Sequence, residues 1–259
     1  MNKDSVFSPE DTTKEVARLD RPSKIISWRP TGNYDFKITI PPTVYPPRED
    51  TDLLARRMIN FGPGRGRNFL EIGCGSGALS LLASSLGWKV SACDINPFAV
   101  AASKGNFDSH GLDGQIKEGG VGPEEFPFAD KFDLIIWNLP YIPVAEVSDV
   151  LGPMEEAALI DTDERGLANR LVDCIHSNQL LATNGKILIL GRDDLDIEKN
   201  IFAVRKWDEF NFEDGEKLAI RCLWKPFENA VTNYVKRTGS TNDDVMKLSE
   251  IGSHVSSSW

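Results

Sequence analysis

Three groups of residues in this chain have types and spacing suited to chemistry. They are Asn138-Leu139-Pro140-Tyr141, Glu71-Ile72-Gly73-Cys74-Gly75-Ser76-Gly77, and Asp94 at the end of Val90-Ser91-Ala92-Cys93-Asp94. The first follows Asp133-Leu134-Ile135-Ile136-Trp137, a short apolar run that reads as a buried strand. The Asn138 amide oxygen and the Leu139 backbone carbonyl can each accept one N–H of an amino or amide group. Pro140 turns the chain, and the Tyr141 ring can pack over the plane of that group. Such an arrangement holds a planar nitrogen and suggests that the nitrogen is to be alkylated. The same letters also fit a bland turn after a strand.

The glycines at 73, 75 and 77 let the backbone turn sharply and let a ligand approach the main chain. A nucleotide-like ligand there would lie across the carboxyl ends of the strands. A P-loop needs Lys-Ser/Thr after its last glycine, whereas Gly77 is followed by Ala78-Leu79. In a dinucleotide fingerprint the third glycine comes one residue later than Gly77. S-adenosyl-L-methionine fits better, because no pyrophosphate needs the helix N-terminus. Glu71 can then accept from the methionine amino group, directly or through water. Asp94 can accept from both ribose hydroxyls, and a charged acceptor in such bonds contributes about 1.5–3 kcal/mol. With Pro97 opening the next helix, Asp94 also stands where a helix cap could stand.

Elements must bring these groups together. The apolar pattern predicts strands at 68–72, 89–93, 115–118, 132–137, 186–190, 205–212 and 218–224. Between them it predicts helices near 52–60, 78–86, 97–110 and 166–181, with a short one near 195–202. Asp50 or Thr51 can cap the first of these. A short strand at 36–40 precedes it, followed by an extended passage through Pro41-Pro42 and Pro46-Pro47. The alternation implies an α/β fold, a doubly wound, mostly parallel seven-stranded sheet. The last two strands, joined by Glu213-Asp214-Gly215-Glu216, read as a C-terminal hairpin that adds an antiparallel strand to the edge. Residues 1–35 are polar, carry little periodicity and read as an N-terminal extension. Residues 36–228 form the main domain, and 229–259 start a new polar segment.

A length of 259 residues suits one large domain with appendages. Its 41% hydrophobic and 26% charged content is that of a soluble globular protein. No apolar run approaches the ~18 residues of a membrane span. The N-terminus lacks the apolar core of a signal peptide, which implies a cytoplasmic protein. A net charge of -10 disfavours general nucleic-acid binding, which depends on Lys and Arg neutralising phosphates. Cys74, Cys93, Cys174 and Cys222 lack the Cys-x-x-Cys spacing of zinc ligands. With His110, His176 and His254 as the histidines, no metal site and no His-based triad is supported.

Together these residues resemble the class I S-adenosylmethionine-dependent methyltransferases. More narrowly, they are similar to the HemK/PrmC-type protein-glutamine methyltransferases and their short archaeal and eukaryotic relatives. The resemblance covers roughly residues 36–225. It rests on Tyr45-Pro46-Pro47-Arg48-Glu49-Asp50-Thr51, the glycine segment, Asp94-Ile95-Asn96-Pro97, Asn138-Leu139-Pro140-Tyr141, Glu155-Glu156-Ala157-Ala158-Leu159, and Gly166 opening a helix. It implies a Rossmann-like fold in which Thr51, Glu71, Gly73, Gly75, Gly77, Asp94, Val121 and Asn138 bind the cofactor. Asn138 through Tyr141 would hold the methyl acceptor. It further implies a protein acceptor such as a translation release factor, and it allows for a small activating partner protein.

Two positions depart from that pattern. Leu139 stands where the family has a first proline, making the motif similar to that of ribosomal-RNA adenine dimethyltransferases. Gly120 stands where an acidic residue is expected near the adenine, leaving recognition to Val121 packing and backbone groups. Three alternatives stay open: an N-methyltransferase acting on adenine of RNA or DNA or on another small amine, a non-catalytic cofactor-binding protein, and a nicotinamide oxidoreductase. Finally, Arg237-Thr238-Gly239-Ser240-Thr241-Asn242-Asp243-Asp244-Val245-Met246-Lys247-Leu248 resembles the opening of a biotin protein ligase, and an ordinary capped helix is its plainer reading. The tail is too short for a working ligase and reads as a truncated start of one.

Overall fold

Apolar runs punctuated by glycine and proline become a central sheet in the computed structural model. It describes residues 22–31, 33–122, 126–140, 142–143, 160–161, 163, 165–198, 201–212, 217–226, 239–240, 243 and 246–247. In chain order the elements are β1 (Lys24–Trp28), β2 (Phe36–Ile40), α1 (Glu49–Asn60), β3 (Asn68–Ile72), α2 (Ala78–Ser85), β4 (Lys89–Asp94), α3 (Pro97–His110) and β5 (Gln115–Glu118). There follow β6 (Phe132–Asn138), β7 (Ile142–Pro143), β8 (Ile160–Asp161), α4 (Leu167–Ser177), β9 (Leu181–Arg192), β10 (Ala203–Asn211) and β11 (Lys217–Trp224).

Seven strands form one sheet in the order β10-β11-β9-β6-β3-β4-β5. β3, β4, β5, β6 and β9 pair in parallel, and β11 pairs antiparallel with both β9 and β10. The antiparallel strand is therefore second from the edge, and β10 is outermost. A hairpin whose second strand docks on β9 leaves no other place for its first strand.

Both faces of the sheet are covered, as parallel strands require. Phe69 of β3 joins a core with Leu54 and Met58 of α1, Leu81 and Leu82 of α2, and Phe107 of α3. Its neighbours Leu70 and Ile72 point the other way, into a core with Ala168, Leu171, Val172 and Ile175 of α4. Helix α3 spans the predicted 97–110 because Asn96 accepts the Phe98 N–H at 2.9 Å, Pro97 opens it and Gly111 closes it at φ 62°.

Some expectations need correction. Helix α1 starts at Glu49, and its cap residue is Arg48 rather than Asp50 or Thr51. The Arg48 N–H donates to Thr51 Oγ1 at 3.3 Å, so Thr51 serves the cap from inside the first turn. Residues 195–198 are irregular, and no helix forms there among the described residues. Strand β9 starts earlier than residue 186; Asn184 takes φ 59° within it, and its register against β6 shifts between Phe132 and Leu134. β7 and β8, a short parallel pair, were not anticipated. The 213–216 turn and residues 155–159 lie outside the described residues.

β1 was also unforeseen. It pairs antiparallel with β2, Trp28 opposite Phe36. Ile25 is 72% exposed, so the strand has no clean alternation for a reader of sequence to find. Its anchor is Trp28, which is 5% exposed, stacks on Phe36 at 5.9 Å and donates from Nε1 to Asp52 Oδ1 at 2.8 Å.

By its contacts the chain divides into Met1–Glu228 and Asn229–Trp259. In the second unit Asp243, Met246 and Lys247 are helical, and the Asp243 N–H donates to Ser240 Oγ at 3.3 Å. The rest of the ligase-like stretch lies outside the described residues. No helix among the described residues is long and apolar enough to cross a membrane.

Trp28→Ala should lower the unfolding free energy by about 3–5 kcal/mol in urea titration, the usual cost of emptying a large aromatic site. A loss below about 1 kcal/mol would show that β1 contributes little to the folded core.

Candidate active site

From β3 the chain winds through β4 to β5 on one side, then crosses to β6 and β9 on the other. The order reverses between β3 and β6, where open α/β sheets place their ligands. Ile72 pairs with Cys93 of β4 and with Trp137 of β6. One residue further on, Gly73, Asp94 and Asn138 therefore emerge side by side at the carboxyl end of the sheet.

Gly73, Gly75 and Gly77 take φ of 65°, 54° and 80°, a region that side chains disfavour. A Cβ on Gly77 would stand 2.3 Å from Ser103 Oγ, and one on Gly73 would stand 3.1 Å from Trp137 Nε1. The loop is also tied from behind. Asn106 of α3 donates to the Ser76 carbonyl at 2.9 Å and the Thr39 carbonyl at 2.9 Å, and accepts the Thr39 N–H at 2.8 Å. At 1% exposure this amide is fully bonded, joining the glycine loop to β2.

Asp94 Oδ2 accepts the Gly75 N–H at 2.8 Å, and Oδ1 accepts the Asn96 N–H at 2.9 Å. The cap of α3 is Asn96, so Asp94 braces the cap without forming it. Each oxygen keeps a lone pair for a further donor. Burial raises the Asp94 carboxyl above its ordinary value, against the lowering effect of those two N–H groups.

Glu71 is only 4% exposed, beneath the loop. The Ser80 hydroxyl donates to its Oε2, and the Ser80 backbone N–H also favours its charged form. Gly77, the cap position of α2, has no side chain to offer, so Glu71 serves this helix start instead. Burial nevertheless dominates and pushes the Glu71 carboxyl up to about 8.

Asn138 ends β6. Its Nδ2 donates to Asp50 Oδ2 at 2.8 Å, while its Oδ1 is buried with no hydrogen-bond partner among the described residues. Leu139 is buried, and its N–H donates to the Leu190 carbonyl at 3.0 Å, so β9 fixes the turn that follows β6. Pro140 is buried as well, and Tyr141 lies outside the described residues. Thr51 reaches this end of the sheet through Asp50, to whose Oδ1 it donates from its backbone N at 2.6 Å and from its hydroxyl at 3.1 Å. Val121 is buried in the core on the α4 face. A Cβ on Gly120 would lie 2.8 Å from Ile95 Cγ2, so an acidic side chain there would require Ile95 to move. Among the described residues no group of His, Cys, Asp or Glu is placed to hold a metal ion.

A family model described as a methyltransferase domain matches residues 69–157, which contain the glycine loop, Asp94 and Asn138. The release factor glutamine methyltransferase of Geobacter sulfurreducens is 30% identical over 180 residues, 64% of this chain and 61% of that protein. The matched segment is thus similar to S-adenosylmethionine-dependent methyltransferase domains, and the chain resembles the HemK/PrmC-type proteins among them. A protein named as an N5-glutamine methyltransferase in Methanocaldococcus jannaschii is 32% identical over 43% of this chain and 54% of its own length. The chain thus spans between about half and three-fifths of the length of these two relatives. A Thermus thermophilus 16S rRNA N2 G1207 methyltransferase, solved with AdoMet and guanosine, shares the fold at a TM-score of 0.56 and 18% identity. That alignment covers 80% of this chain and 52% of the other.

Three residues that hold this site were not singled out for it from sequence: Asp50, Ser80 and Asn106. The available signal was weak, namely polar residues on helix faces that otherwise turn inward.

Glu71 binds its proton more tightly when folded than the ordinary value of 4.5 allows. Between about 4.5 and about 8 the folded state holds a proton that the unfolded state has lost. Its contribution is complete below the lower value and fades as pH rises to the upper one. Glu71→Gln should remove this dependence, gaining stability relative to the parent protein between pH 5 and 8.5 by a few kcal/mol at most. Urea unfolding at both pH values measures it; a stability gap that stays constant would exclude a titrating Glu71.

Proposed function

We propose that this domain transfers a methyl group from S-adenosyl-L-methionine to the side-chain amide nitrogen of a protein glutamine. The observation that carries the reading is the buried, unpartnered Asn138 Oδ1 at the carboxyl end of β6. An orphan acceptor in such a place is costly unless a donor meets it, and an amide N–H is such a donor. The names of the glutamine-methylating relatives and the net charge of -10 support a protein acceptor such as a release factor. The working domain is taken as residues 36–228 together with β1, in a cytoplasmic protein. Acceptor recognition falls to this domain, to residues 1–35 or to a small partner protein.

The residues present suit the methyl donor. The glycine turns at 73, 75 and 77 keep side chains out of the crevice, and Val44 bounds it 3.9 Å from where a Gly75 Cβ would stand. Glu71 and Thr51 would serve the amino-acid end, Asp94 the ribose and Val121 the adenine. S-adenosyl-L-methionine supplies an electrophilic methyl group already activated on sulfur. The protein's task is then positioning. Asn138 Oδ1 and the Leu139 carbonyl accept the two N–H groups, turning the lone pair away from them. Tyr141, next in sequence after Pro140, would offer its ring to the amide plane. The acceptor nitrogen gains the methyl group as the methyl–sulfur bond breaks with its electron pair going to sulfur, leaving S-adenosyl-L-homocysteine, and it sheds one proton to water.

The test is labelled methyl transfer into extract, followed by separate protease and nuclease digestion. Label released by protease and traced to glutamine is expected. Label that resists protease and yields to nuclease would replace this reading with adenine methylation. Asn138→Ala should cut turnover by at least ~100-fold, the scale of losing one preorganised hydrogen-bonding group; full activity in that variant would remove Asn138 from the mechanism.

A further inference from the structure

The Asn138 amide has two faces to offer, and nothing in its own chemistry chooses between them. Turned one way it presents an oxygen to the methyl acceptor, and turned the other way an NH2. An acceptor N–H is held by the first and repelled by the second. Asp50 faces this amide from the first turn of α1, 2.8 Å from Nδ2. A carboxylate has no hydrogen to donate, so the group facing it must be the NH2. The oxygen is left on the far branch, where it is buried without a partner.

Asp50 is itself held. Its Oδ1 accepts both the backbone N–H and the hydroxyl of Thr51, at 2.6 and 3.1 Å. Thr51 Oγ1 in turn accepts the N–H of Arg48, the cap residue. The carboxylate thus takes three donors, two on one oxygen and one on the other. The helix start and the Asn138 amide therefore share one rigid bracket. The bond to Nδ2 is charge-assisted and polarises the amide, making Oδ1 a stronger acceptor. A nearby negative charge also favours the positive charge that an amide nitrogen develops as it is alkylated.

We infer that Asp50 is a positioning residue for methyl transfer: it sets the Asn138 amide so that Oδ1, and never Nδ2, meets the acceptor nitrogen. This rests on the function proposed above. Asp50 touches neither methyl donor nor acceptor and acts through Asn138.

Asp50→Asn keeps the shape of the side chain but removes its negative charge and replaces one acceptor oxygen with an NH2 donor. An asparagine at 50 has one oxygen for three donors. If that oxygen stays with Thr51, the new NH2 faces Asn138 and draws its oxygen away from the acceptor. Turnover should fall by at least ~100-fold, while S-adenosyl-L-methionine affinity by calorimetry stays within about threefold. Asp50→Glu, which keeps both acceptor oxygens, should recover part of the loss. The double variant Asp50→Asn/Asn138→Ala should be no slower than Asn138→Ala alone, because the two residues act as one unit. Nitrogen NMR gives a readout independent of catalysis. The Asn138 side-chain NH2, identified by its absence in Asn138→Ala, should move and exchange faster in the position-50 variants.

Turnover within threefold of the parent in Asp50→Asn, with Asn138→Ala inactive, would overturn the inference and leave the proposed function standing. Full activity in Asn138→Ala would overturn both. Should Asp50→Asn fail to fold, Asp50→Ala, which removes the carboxylate, decides. Parental turnover and an unmoved Asn138 resonance there would overturn the inference, and reduced turnover with a shifted resonance would support it.

Discussion

Parallel pairing of β3 with β4 on one side and β6 on the other is the constraint on which the site depends. Parallel strands end at the same edge, so residues far apart in sequence leave the sheet together. Gly73, Asp94 and Asn138 become neighbours through main-chain hydrogen bonds alone, before any side chain contributes. The glycine conformations follow from the same constraint. A chain leaving β3 must turn at once into α2, under α3, and Ser103 leaves no room for a side chain at Gly77.

Once the strands have brought these groups together, buried polar bonds hold them. Asn106 ties the glycine loop to β2, Asp94 ties the loop to the start of α3, and Asp50 ties α1 to the end of β6. Each of these ties joins one element to another, so the crevice is framed by rigid parts. The cost appears in the same place. Burial raises the carboxyls of Glu71 and Asp94, and the Asn138 oxygen has no partner among the described residues. Sites that must meet a ligand carry such unfavourable groups, and the surrounding core offsets them.

Much of the site was legible in the letters because its chemistry depends on residue type. Three spaced glycines after a buried strand, a strand-end Asp94 and an Asn138-Leu139-Pro140 turn each carry meaning locally. The strands at 68–72 and 115–118 and the helix at 97–110 were legible for a similar reason. Gly, Pro and Asn punctuate their ends, and buried apolar residues line them, Ile116 alone in the strand at 115–118. β1 escaped because only Trp28 of its five residues is buried while Ile25 is exposed, so it lacks the alternation that marks a half-buried strand. The place of β11 between β9 and β10 escaped because pairing order is decided by which partner strand is free, and no local pattern records it.

The sequence by itself thus determined the fold class, the glycine turns and the identities of the groups around the crevice. Those properties depend on residue type and short-range spacing. Only the tertiary structure decided which groups touch. It put Asp50 rather than water against Asn138, and Ser80 against Glu71. It assigned the cap of α3 to Asn96 rather than Asp94. A hydrogen bond between residues 50 and 138 depends on where α1 docks against the end of β6. That docking follows from the packing of an entire core face, which no short stretch of sequence contains.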